Sequence, residues 1–208
     1  MSPLSLEQSA ARCRQWASAE LVLYESVGSW VAATGHPGAK IYFDACSQHH
    51  AWRAETWQRR LPGLGAPGAS GAPGASGAPG ASGAPGASGA PGASGAPGGP
   101  GAPSSALRRV LGQAEQAGTV GLLAVYTRVV LARAVVAYGA WRRECSSSSD
   151  RTVAWALDLV RADAAADWHE GEELLQGLVL TEQDALDAAR ALGEAERVLA
   201  GGSLLGGG

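Results

Sequence analysis

The chain has 208 residues, 46% of them apolar, with 16 basic and 19 acidic side chains and a net charge of −3. That balance provides no one-signed field for nucleic acid to read, so no DNA or RNA partner is expected. The length and apolar content suit one domain with a real hydrophobic core once a low-complexity tract is set aside.

The cysteines Cys13, Cys46 and Cys145 are odd in number and far apart. They lack metal-ligand spacing and read as reduced thiols, which points to a cytoplasmic protein. No basic segment leads into an apolar run near the N-terminus, so a secretory signal is not expected. The most apolar window, Thr119 to Ala140, is interrupted by Arg128 and Arg133. A membrane span is therefore not expected.

The first helix is expected from about Ser5 to Ala33, with Ser5 and Gln8 in the pattern of a capping box. Its stripe is Cys13, Ala17, Glu20, Tyr24, Val27 and Val31, widened by Trp16, Leu23 and Trp30. Glu20 is the odd member, because a carboxylate on an inward face must be paired, protonated or metal-bound. Gly35 and Pro37 end this helix. The second helix spans roughly Pro37 to Arg60, with proline suited to its first turn. One face carries Phe43, Cys46, His50 and Trp57; another carries Ile41, Ala45 and Trp52, with His49 between them.

From Gly65 to Gly101 glycine recurs at every third position, in alternating Gly-Ala-Pro and Gly-Ala-Ser triplets. Strict G-x-y periodicity is the collagen signature. The run is short and lies inside a helical domain, so a disordered linker over 63–104 is the reading preferred to a trimerising stalk. Long loop insertions cost little, because closure entropy grows slowly with length.

A third helix is expected from about Ala106 to Cys145, bent or broken at Gly118 or Gly121. Its stripe is Leu123, Tyr126 or Thr127, Val130, Ala134, Ala137 and Trp141. Ser146 to Ser149 form a loop, with Asp150 as N-cap of a fourth helix from Arg151 to about Gln176. Its stripe is Val153, Leu157, Val160, Ala164, Trp168, Gly171 and Leu175, bordered by Asp163 and Asp167. A shorter fifth helix starts at Thr181, which with Asp184 forms a capping box, and presents Leu186, Ala189, Leu192, Ala195 or Glu196, and Leu199. The regions are thus a first helical pair over 1–62, the tract over 63–104, a second pair with the C-terminal helix over 105–200, and a flexible tail over 201–208. Short links favour antiparallel pairs, and the long one permits a crossover.

Bundle interiors build dinuclear metal centres from one Glu on each of two helices and Glu-x-x-His on each of the other two. That set is absent: the residues three before His49 and His50 are Cys46 and Ser47. Glu20, His49, His50, Asp163 and Asp167 remain as candidates for a single metal ion. Alternatively they form a buried polar network, with Glu20 paired to His50 or Arg133 and Asp163 accepting from Tyr126. A pocket lined by tryptophans is a further reading of the seven Trp residues.

The segments from His49 to Pro62 and from Asp163 to Gln176, and the stretch from Val125 to Tyr138, resemble an uncharacterised actinobacterial family of ferritin-like proteins. The resemblance implies an all-α fold, a ferritin-like four-helix bundle with a short additional C-terminal helix. It leaves function open. The reading that follows is a non-enzymatic interaction or small-ligand-binding module, a homodimer or partner of another protein, with no cofactor. The alternative is a metal-dependent redox protein or oxygenase using iron or manganese at a non-standard site.

Overall fold

The structure is a computed structural model that describes residues 5–61, 105–146 and 150–200. The Gly-Ala-Pro/Ser tract and the tail after residue 200 lie outside the described residues, and with them the readings of both as flexible and of the tract as collagen-like. Every element among the described residues is helical.

Helix α1 covers Leu6–Ala33. Its capping box forms as the sequence suggests: the Gln8 amide donates to Ser5 Oγ at 3.1 Å, and the Ser5 amide donates to Gln8 Oε1 at 2.8 Å. Helix α2 covers Pro37–Gln58, with proline in its first turn and His36 Nδ1 accepting from the Ala39 amide at 3.3 Å. The expected third helix is two. Helix α3 spans Ser105–Ala114, and a second helix starts at Gly118, whose φ of +69° places it in the left-handed region open to glycine. That second helix, α4, runs Gly118–Glu144 and contains a π-helical segment at Tyr126–Leu131. Helix α5 covers Arg151–Leu178 and α6 covers Glu182–Leu199. Asp150 occupies the N-cap position of α5 as expected, but its side chain makes no capping bond; the carboxylate accepts from the Ser146 amide at 2.8 Å. The Thr181–Asp184 box does form at α6.

Side-chain contacts give the directions of the four long helices. Ser47 Oγ donates to the Tyr24 carbonyl, and Glu20 meets His50, so α1 and α2 run antiparallel. Arg128 pairs with Glu172 and Arg142 with Asp158, so α4 and α5 are antiparallel. Arg12 pairs with Glu144 and Trp30 packs on Tyr126, which sets α1 against α4. Tyr42 bonds the Asp167 carbonyl and Arg53 bonds Asp163, which sets α2 against α5. Neighbours in this ring alternate in direction. Helices α2 and α4 therefore point the same way, and the chain must return along the length of the helices between them. The long connection, including α3, makes that return.

Burial corrects several faces. Ile41 and Trp52 are exposed, so the second expected face of α2 looks outward, as does Tyr24 on α1. On α6 the inward face is Ala188, Ala191, Ala195 and Leu199, while Leu186 and Ala189 are exposed. Small side chains there let α6 lie close over α4 and α3. Helix α4 is long and apolar enough by composition to cross a membrane, but 61% of that window is buried within the protein. Arg128 and Arg133 leave it for Glu172 and Glu196.

Gly171 marks the tightest crossing. A Cβ there would collide with Tyr42 Oη and Thr127 Cγ2. Gly171→Ala must push Tyr42 off the Asp167 carbonyl, which its hydroxyl reaches at 2.7 Å. The expected loss is about 1–3 kcal/mol, read by denaturant unfolding. A variant as stable as the parent would show that the α2–α5 seam is loosely packed.

Candidate functional site

A polar network fills the space between the four long helices. Its centre is the pair of Glu20 on α1 and His50 on α2, each 1% exposed, with His50 Nδ1 2.5 Å from Glu20 Oε2. The other ring nitrogen, Nε2, lies 2.8 Å from the Tyr126 hydroxyl. The Tyr138 hydroxyl donates to the second Glu20 oxygen. The proton arrangement that fits the Glu20 carboxylate and the Tyr126 hydroxyl has Nδ1–H donating to the carboxylate and Nε2 accepting from Tyr126.

Arg53, one turn after His49 and His50, extends the network toward α5. It is 1% exposed. Its Nε donates to Asp163 Oδ2 at 2.6 Å, and its Nη2 donates to Asp167 Oδ2. The guanidinium fork thus spans two carboxylates on successive turns of α5. His49 Nδ1 lies 2.7 Å from the other Asp167 oxygen, Oδ1.

Burial works to raise the Glu20 carboxyl, but the charge and hydrogen bonding of His50, the nearby Arg53 and the Tyr138 hydroxyl together hold it below its ordinary value. Burial pushes the His50 imidazole down, and this outweighs the pull of Glu20. Burial likewise raises the Tyr126 and Tyr138 phenols well above the usual range, so both stay donors. Both shifts on the central pair make stability fall with acid. For His50, the unfolded chain takes up a proton near pH 6.5 that the folded protein refuses, so stability falls as pH drops below about 6.5. For Glu20, the depressed folded value adds a second loss as pH falls below about 4.5 and through that value. Unfolding free energy measured against pH should show the first decline in the parent and not in His50→Gln.

The five expected metal candidates separate into two groups. Glu20 and His50 are occupied with each other and the two tyrosines. His49, Asp163 and Asp167 converge, each offering one ligand atom within 4.8 Å of the others. Among the described residues, Glu20 and His50 do not converge with an α5 carboxylate in this way. Arg133 is not the partner of Glu20; it reaches Glu196 at the surface. Asp163 accepts from Arg53 rather than from Tyr126.

Trp16, Trp57 and Trp141 pack on aromatic neighbours in the core. Trp57 stacks on Trp141 at 5.1 Å and on Tyr138 at 5.7 Å, and Trp16 packs on Tyr138 at 3.9 Å. A groove of about 580 Å³ lies where α3 and the start of α4 meet α6, lined by Gln113, Gln116, Asp187, Arg190 and Glu194. A second, about 330 Å³, is lined by Arg128, Gln176 and Leu192 among others.

Arg53 and Tyr138 are the members the sequence pattern concealed. Arg53 stands three and four residues after the two histidines, so it shares their side of α2. That spacing was its one available signal. Compared with family models, curated proteins and solved structures, the chain matches none.

Proposed function

We propose that this is a non-enzymatic, ferritin-like helical protein of the cytoplasm that binds a small ligand or a protein partner, a second copy of itself included. The observation that carries this reading is the closure of the interior. Glu20, His50, Arg53, Tyr126, Tyr138 and Asp167 are hydrogen-bonded to one another. No free acid–base pair faces an open space among them, as proton-transfer chemistry on a substrate requires. The ferritin-like assignment is supported by the ring of antiparallel neighbours with α2 parallel to α4. The open groove over α6 is the surface best suited to a ligand, since its volume lies in the range of small-molecule sites.

The dinuclear iron centre of ferritin-like enzymes does not fit this interior. Its carboxylate–histidine set is missing, and the Arg53 guanidinium brings a fixed positive charge between the helices. A second reading, a redox protein holding one iron or manganese ion at a non-standard site, is favoured by the convergence of His49, Asp163 and Asp167. Ferrous iron added to protein purified without a metal-affinity tag separates the two. Oxidation in air at the rate of buffer alone is expected. Oxidation faster than buffer, and lost in His49→Gln, would establish the second reading in place of the first.

A further inference from the structure

On the outer side of the α2–α5 seam three side chains meet that the interior network does not use up. His49 is 43% exposed and Asp163 25%, while Asp167 behind them is 3% exposed. We propose that His49, Asp163 and Asp167 form a mononuclear site for a divalent ion of the zinc and cobalt class, with Arg53 as the positioning residue behind it.

The chemistry of the donors selects that class. One imidazole and two carboxylates are nitrogen and oxygen donors of the kinds zinc accepts, and the exposure of His49 and Asp163 leaves water to complete the shell. Ligand atoms already within 4.8 Å need only side-chain adjustment to reach bonding distance. Nδ1 of His49 and Oδ1 of Asp167 lie 2.7 Å apart and share a proton. The metal replaces that proton and bonds both atoms.

Arg53 prepares the site without occupying all of it. It takes the Oδ2 atom of each aspartate and leaves Oδ1 of Asp167 facing His49. Carboxylates that bind metals are commonly held in this way by a hydrogen-bond partner on their other oxygen. Two carboxylates against one guanidinium leave one negative charge to attract a cation. The site is thus peripheral to the four-helix interior, where Glu20 and His50 stay paired.

This inference rests on the second reading for its three ligands and not for any redox step. The test titrates the full chain, purified without an affinity tag, with cobalt(II) alone and then with zinc(II). A cobalt absorption band saturating at one equivalent, and its displacement by zinc, are expected. His49→Gln keeps an amide donor for Asp167 but removes the ring nitrogen, and should weaken binding at least about tenfold. His169→Gln, at an exposed histidine outside the site, should bind as the parent does. In the parent, the Arg53 Nε–H signal in nuclear magnetic resonance should persist when zinc is bound. No saturable band in the parent, or unchanged binding in His49→Gln, overturns the proposal. Saturable cobalt without accelerated iron oxidation keeps this site and discards the redox reading. Accelerated iron oxidation without cobalt binding does the reverse.

Discussion

Arg53→Met is expected to lower unfolding stability by about 3–5 kcal/mol. The side chain is 1% exposed and joins two carboxylates on α5 to the Glu20–His50 pair. Burying a guanidinium carries a large desolvation cost, which its fork recovers through the bonds to Asp163 and Asp167. Removing it leaves Asp167 buried with only His49 and strips Glu20 of a positive neighbour. Methionine fills most of the volume, so the loss measures the charge and its bonds rather than a cavity. Arg53→Lys should recover only part of it, because an ammonium cannot span both carboxylates as the planar fork does. The triple variant Arg53→Met, Asp163→Asn, Asp167→Asn should recover most of it by leaving no unpaired charge. Chemical denaturation of this series checks the account. A triple variant no more stable than Arg53→Met would show that volume, and not charge, is what Arg53 supplies.

How much was readable beforehand follows from the kind of signal each element carries. Caps are local, and both boxes, Ser5 with Gln8 and Thr181 with Asp184, form as written. The inward placement of Glu20 and His50 followed from apolar neighbours at helical spacing and holds in the structure. The outward turn of Ile41 and Trp52 did not, because a large apolar side chain is not by itself evidence of burial. The break at Gly118 was marked by a glycine, though the sequence offered Gly121 equally. On α6 the expected Leu192, Ala195 and Leu199 do face the core, while Ala188 and Ala191, which carry little hydrophobic weight, are buried in place of Leu186 and Ala189. Partner choice is the least local property. Nothing near Asp163 in the chain shows that Arg53, on another helix, reaches it before Tyr126 can.

The expected stripe of α4 is buried, and the feature that sets its phase is a π-helical segment. Tyr126 and Tyr138 are twelve residues apart, which in an unbroken α-helix places them about 120° apart around the axis. Only one could then face Glu20 and His50. In the structure both do. The π-helical segment Tyr126–Leu131 explains this, because a wide turn absorbs one residue and brings the offset to about 20°. The stripe counted at regular spacing is buried at Leu123, Tyr126, Thr127, Val130, Ala134 and Trp141, and at Ala137 it falls on a partly buried residue beside the fully buried Tyr138. Deleting Val129 should return the segment to α-helix with Tyr126 and Tyr138 eleven positions apart, which keeps their offset near 20°, whereas inserting one alanine after Arg133 should rotate everything after it by about 100°. Tyr138 and Trp141, both buried, would swing out of the core. Each large side chain so exposed forfeits about 1.5–3 kcal/mol, and the loss of the Tyr138 donor to Glu20 adds about 1–3 kcal/mol, for a total of at least ~4 kcal/mol. Tyr138→Phe isolates the hydroxyl and should show only the smaller part. Denaturant unfolding of these variants, with near-ultraviolet circular dichroism of the tryptophans, distinguishes them. If the deletion lost the parental spectrum as the insertion does, the π-helical segment would not be what sets the phase of α4, and the joint arrival of Tyr126 and Tyr138 at the Glu20–His50 pair would need another cause.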